Sequence, residues 1–261
     1  MGHGPNAVLA AIAVLLAASC SVKENREDCP CRLDITISEE ISSQYVSVSG
    51  NGGAGKCFDA VIAPLHDGTN YSAMVPRGMV ELLAFDVHGG LSPRNGVFLI
   101  PCGSQADSIY AFRAGVDCSG ETASASVVTR KQFATVFLRV VSDNPEIAPG
   151  TPVRVDGEVC GLDAVSMLPV AGEFRCGTAL DADLGCSFRV PRQADGKLVV
   201  TLGGKGDMCS FDAAPIISSG GYDWTDDVLD DILLDAEIGS SDVVVNVSIL
   251  DWSRHDLEES L

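Results

Sequence analysis

Residues 231–250 read DILLDAEIGSSDVVVNVSIL, and their pattern decides the fold class. Ile232, Leu234, Ala236 and Ile238 alternate with Leu233, Asp235 and Glu237. Beyond Gly239-Ser240-Ser241-Asp242, the residues Val243, Val245, Val247 and Ile249 alternate again. A strand sends successive side chains to opposite faces, so a period of two marks a half-buried strand. Two such runs around a short Gly/Ser/Asp turn make a β-hairpin.

The same signal recurs upstream. Leu33, Ile35 and Ile37 alternate with Asp34, Thr36 and Ser38, and Val46 and Val48 repeat the pattern. Residues 79–87 (MVELLAFDV), 97–100 (VFLI) and 198–202 (LVVTL) are further β-rich runs bounded by Gly or Pro. Residues 133–141 (FATVFLRVV) are apolar at nearly every position, which predicts a strand buried on both faces. Helical periodicity is scarce: residues 225–231 could form one turn with Val228 and Ile232 on one side. The chain is therefore read as all-β, a sandwich or barrel of short strands joined by Gly-rich turns. A polar dip at residues 117–126 (DCSGETASAS) divides it into parts of similar size, so two sandwiches, 29–125 and 126–261, fit better than one.

The N-terminus reads as an export signal. Residues 7–18 (AVLAAIAVLLAA) are uncharged and too short to span a bilayer, which suits a signal-peptide core. The run ends in Leu16-Ala17-Ala18-Ser19-Cys20, small residues before a cysteine, as at a lipoprotein cleavage site. Cleavage after residue 19 would leave Cys20 to carry acyl chains. Residues 21–28 would then be a polar tether reaching roughly 25–30 Å when extended. Residues 1–20 contain no Lys, Arg, Asp or Glu, so the mature chain keeps the full net charge of −19. That charge argues against nucleic acid and anionic lipid surfaces as partners.

Ten cysteines are many for 261 residues. With Cys20 assigned to lipid, nine remain, and outside the cytoplasm disulfides are the first expectation. An odd number leaves at least one thiol free or paired with another chain. Spacing favours Cys102–Cys118, Cys160–Cys176 and Cys186–Cys209, although connectivity does not follow from sequence. No CxxC pair occurs, Cys29-Pro30-Cys31 is too tight for ordinary zinc spacing, and histidines are few; no metal site is expected.

Catalytic motifs are sparse. Residues 50–57 (GNGGAGKC) approach a phosphate-binding loop, but cysteine stands where the magnesium-ligating hydroxyl belongs and a strand follows in place of a helix. The stretch reads as a Gly-rich hairpin turn, with no nucleotide and no cofactor expected. Asp223, Asp226, Asp227, Asp230, Asp231 and Asp235 cluster without EF-hand spacing and read as a solvated acidic face. His66, His88 and His255 are scattered, with no HExxH and no G-x-S-x-G. Trp224 and Trp252 could stack on a sugar, yet aromatic residues are only 6% of the chain. No enzymatic activity is expected.

Four stretches resemble the fimbrillin-associated anchor lipoproteins of Bacteroidales type V fimbriae. They are Cys20-Ser21 with the acidic opening Arg26-Glu27-Asp28-Cys29-Pro30-Cys31, and residues 161–174 (GLDAVSMLPVAGEF). The others are residues 188–198 (FRVPRQADGKL), and the closing run from Gly220-Gly221-Tyr222-Asp223-Trp224 to Asp251-Trp252. In order they cover most of the mature chain. The resemblance implies two tandem transthyretin-like (Greek-key) β-sandwich domains. It also implies a surface-exposed lipoprotein, tied to the outer membrane through Cys20, that joins fimbrial shaft or accessory subunits by strand exchange and terminates or regulates the filament. The strand at 243–250, with Val243, Val245, Val247 and Ile249, is the expected subunit contact, or else it only completes its own sandwich. Competing readings are a surface glycan-binding lipoprotein, an accessory or tip subunit of the same fimbria, and a hydrolase using the aspartates near Trp224.

Overall fold

The computed structural model of the chain describes residues 29–37, 44–52, 56–62, 70–87, 96–193, 196–203, 209–239 and 243–251. The signal-peptide segment, Cys20, the tether, Trp252 and the histidines His66, His88 and His255 lie outside the described residues. In chain order the first strands are β1 (Cys31–Ile37), β2 (Gln44–Gly52), β3 (Lys56–Ile62), β4 (Asn70–Val75), β5 (Met79–Val87) and β6 (Val97–Leu99). Then come β7 (Ile109–Asp117), β8 (Thr122–Val127), β9 (Arg130–Lys131), β10 (Phe133–Ser142), β11 (Pro152–Asp163) and β12 (Pro169–Ala179). The last are β13 (Gly185–Pro191), β14 (Leu198–Leu202), β15 (Cys209–Asp212), helix α1 (Ala213–Ser219), β16 (Asp231–Ile238) and β17 (Val243–Leu250).

These strands build an all-β, sandwich-like fold with two main cores. Sheets of order β4-β1-β8 and β3-β2-β5-β7-β9 enclose one. Cys31, Leu33, Ile35 and Ile37, the alternating face of β1, meet Val46, Val48, Val80 and Leu82 there. The second core lies between β13-β10-β16-β17 and β12-β11-β14-β15, where Val136, Leu138, Val153, Phe174, Val200, Ile232 and Leu234 pack together. Burying such side chains contributes about 1.5–3 kcal/mol each. β6 adds to β11, Leu162 facing Phe98 across the pair. Gly161 is required there, because a Cβ would strike the Phe98 carbonyl.

The β2–β3 pairing runs to Gly52↔Lys56, so the near-miss phosphate loop spans two antiparallel strands, as a hairpin should. Two expectations need correction. β10 is buried on one face only: Phe137 is 39% and Val141 67% exposed, because beyond its first residues no described residue covers the outer side of its sheet. The polar dip at residues 117–126 falls within the strands of the first core. It includes most of β8, which pairs in parallel with β1, its small Ala123 and Ala125 packed against the first core. Residues 225–230 form no helix; α1 lies earlier, capped by Asp212, whose carboxylate accepts the Ala214 N–H at 3.1 Å.

Cross-strand charges decorate the outer faces. Asp156 of β11 faces Arg175 of β12, accepting from its Nε at 2.6 Å and from Arg154 Nε at 2.8 Å. Burial pushes the Asp156 carboxyl up, but the hydrogen bonds of the two guanidiniums outweigh it and hold the pKa below its ordinary value. A carboxylate depressed in the folded state adds stability above its unfolded pKa of about 4, and that stability disappears as pH falls through the folded value. Asp156→Asn is expected to flatten the fall in melting temperature below about pH 4. An acid titration of melting identical to the parent's would contradict this.

Candidate functional site

The C-terminal hairpin forms one wall of the second core and an open sheet edge. β17 pairs with β16 along its full length, from Val243↔Ile238 to Leu250↔Asp231. On its other side no strand pairs with it among the described residues. Val243, Val245 and Val247 pack against the core, so three of the four expected contact residues serve the hairpin's own sandwich. Ile249 is 37% exposed, as is Leu250, and Val244 of the outer face is 50% exposed. What this edge offers a partner is its free backbone groups together with Val244, Ile249 and Leu250.

The loop from Gly220 to Asp230 is held down from beneath. Arg192, 8% exposed, donates from Nε (3.2 Å) and Nη2 (3.0 Å) to Gln132 Oε1, and from Nη1 to the Trp224 carbonyl. Gln132 Nε2 donates in turn to the carbonyls of Arg130 (3.1 Å) and Asp227 (3.3 Å). Tyr222 and Trp224 stack edge-on with ring centroids 4.7 Å apart, both in the second core. The Tyr222 hydroxyl donates to the Asp230 carbonyl at 2.8 Å, and burial drives its pKa up.

The aspartates do not converge. Asp223, Asp226 and Asp227 are exposed, Asp227 pairing with Arg130; Asp231 pairs with Lys131 and Asp235 with Arg139. Asp223 is held below its ordinary pKa by the Thr225 hydroxyl and N–H, both at 2.7 Å. Two adjoining clefts of ≈ 300 and ≈ 630 Å³ share Met167, Arg192 and Thr225. Among the described residues no group of His, Cys, Asp or Glu is placed to hold a metal ion. Arg192, Gln132 and Lys131 were missed as organising residues; the polar run Arg130-Lys131-Gln132 directly before an apolar strand was their one sequence signal.

The fold sets apart the cysteine pairs expected from spacing. Cys118 is in the first core, whereas exposed Cys102 adjoins Gly103, which bridges to Cys176. Cys176 faces Val155, and Cys160 lies five residues further along β11, roughly 17 Å by strand rise and far beyond disulfide reach. The Cys160 thiol points instead at the carbonyls of Val170 (3.7 Å) and Ala171 (3.8 Å). Cys186 and Cys209 belong to opposite sheets of the second core. Local spacing fails because each strand pair brings together residues from distant parts of the chain.

No protein-family model and no curated protein sequence matches this chain. Solved structures do. A candidate adhesin from Bacteroides ovatus superposes with a TM-score of 0.55 at 13% identity, covering 90% of this chain and 98% of that one. The fimbrial anchor protein Mfa2 from Porphyromonas gingivalis gives 0.53 at 11% identity, covering 86% and 98%. The chain shares their fold. A candidate polysaccharide-binding protein from Bacteroides thetaiotaomicron has it too, with a TM-score of 0.54 at 11% identity over 86% of this chain and 99% of that one. This agrees with the β-sandwich architecture expected from the anchor-like stretches.

Proposed function

We propose that this chain is a structural, non-enzymatic subunit of a surface fimbria, held in the outer membrane by acyl chains on Cys20. It joins a shaft or accessory subunit along the free edge of β17 and there terminates or regulates the filament. The observation that carries this reading is that open, partly apolar edge, in a fold shared with a fimbrial anchor. A donated strand would satisfy the edge's backbone groups and fill pockets at alternate side chains. The aspartates near Trp224 favour no hydrolase, since two are engaged by Lys131 and Arg139 and three face solvent.

In cells lacking the gene, filaments are expected in the culture fluid, with few on washed cells by immunoblot, and Cys20→Ala should reproduce that shedding. Normal cell-bound filaments would refute the anchoring role and favour an accessory or tip position. At the edge itself, combined Val244→Lys, Ile249→Lys and Leu250→Lys should leave melting within a few degrees of the parent, because all three are exposed. Binding of purified fimbrial subunits should weaken at least tenfold, about 1.4 kcal/mol. Unchanged binding would remove β17 as the contact.

Glycan binding, the alternative, would use the ≈ 630 Å³ cleft beside Tyr222 and Trp224. Both rings are buried and engaged with each other and with the core, which leaves a sugar no open aromatic face to stack on.

A further inference from the structure

Two cysteines left unpaired by the spacing argument are brought together by the fold. Cys31 opens β1 and Cys118 follows the end of β7; both are 0% exposed and both belong to the first core. Three contacts fix the backbone around them. The Cys118 N–H donates to the Gly78 carbonyl at 2.8 Å, and Arg32 N–H donates to the Glu121 carbonyl at 3.0 Å. The Arg77 guanidinium donates to the carbonyls of Cys29 (2.8 Å) and Ser119 (3.3 Å), so one side chain spans the backbones next to both cysteines. Both thiols lie in the same buried cluster, and burial first, then the nearby Cys31, pushes the Cys118 thiol up to about 11.

We propose that Cys31 and Cys118 are joined by a disulfide in the exported protein, which fastens the first strand to the end of β7. Oxidation removes two protons and two electrons from the thiols. The acceptor is the disulfide of an extracytoplasmic thiol–disulfide oxidoreductase, which leaves as a dithiol. One cysteine thiolate attacks that disulfide to form a mixed disulfide and releases one carrier thiolate. The second cysteine thiolate then attacks the chain's own sulfur, closing the bond and releasing the other. Both sulfurs are sealed from solvent in the folded protein, so closure occurs before the first core is complete. The bond closes a loop of roughly 90 residues, long enough for a large stabilisation. If the lipid anchor of the proposed function holds, force along the tether at residues 21–28 reaches β7 through sulfur and bypasses the hydrogen bonds of β1.

The test is peptide mapping of the full chain secreted into an oxidising periplasm, denatured, alkylated without reduction and cleaved with trypsin. The expected species links the peptide 27–32 (EDCPCR) to 114–130 (AGVDCSGETASASVVTR), with one alkylated cysteine on the former. The link should persist in Cys29→Ser, which assigns it to Cys31, and reduction of the wild type should lower its melting temperature by about 10 °C. Cys118 recovered fully alkylated, or linked to Cys29 or Cys102, overturns the proposal. The wild type and Cys29→Ser decide the matter even if Cys31→Ser fails to fold. Fimbrial attachment plays no part in this readout, so failure of the anchoring role would leave the disulfide standing.

Discussion

Replacing Asp231 with alanine should cost the fold about 3–5 kcal/mol, the usual penalty for taking one partner from a buried ion pair. Lys131 is 1% exposed, and its ammonium donates to the Asp231 carboxylate while sitting 5.0 Å from the Phe133 ring centroid. The same carboxylate oxygen accepts the Thr135 N–H at 2.6 Å, so Asp231→Ala withdraws both a charge partner and a backbone acceptor. Burial lowers the Lys131 pKa, and Asp231 is what raises it back in part. Without the aspartate the folded-state pKa drops further. A lysine depressed in the folded state destabilises at pH below its folded pKa, and the penalty lifts as pH rises towards the unfolded value of about 10. Urea denaturation of Asp231→Ala should therefore show stability recovering between neutral and alkaline pH. Lys131→Met combined with Asp231→Ala should recover a large part of the loss, since it leaves no buried charge behind. A single variant within 1 kcal/mol of the parent, flat with pH, would show the pair to be dispensable.

The second large effect is expected at Phe98, whose truncation to alanine should cost about 3–5 kcal/mol. Phe98 is fully buried on the three-residue strand β6, its ring centroid 4.9 Å from that of Phe85. It fills a cluster in which Leu83, Phe85 and Ile109 of the first sandwich meet Leu162 and Ala164 from the second. So short a strand has few hydrogen bonds to hold it against β11, and the ring supplies most of what fixes it. Leu99→Ala next door is the control: its side chain is 46% exposed, so it should cost no more than about 0.5 kcal/mol. Equal midpoints for the two variants in urea would refute this account of how β6 is held.

Pattern was enough wherever one strand face meets a core and the other meets water. β1 and the β16–β17 hairpin lie where their period of two placed them, because alternation encodes burial directly, and β5 and β14 lie where their β-rich runs placed them. β8 escaped notice because Thr-Ala-Ser-Ala-Ser-Val carries too little apolar bulk to advertise a strand, although its small alanines suit a place beside β1. The apolar run of β10 was misjudged for the opposite reason. Composition cannot say whether a neighbour covers a face, and Phe137 and Val141 remain open to solvent. For α1 the signals existed, Asp212 before the helix and Gly220-Gly221 after it, but seven residues are too few to set a helical period.

By itself, then, the sequence determined the class of fold, its hairpins, its acidic charge and the absence of familiar catalytic spacing, all properties of residues near one another in the chain. Tertiary structure alone decided which buried cysteines share a core, that Arg192 reaches across to Gln132 and the Trp224 carbonyl, and that β17 turns its valines inward with no described strand on its outer edge. Each of these joins positions many residues apart through strand order and register. A local pattern specifies which face of a strand is buried, but it does not specify which strand lies beside it.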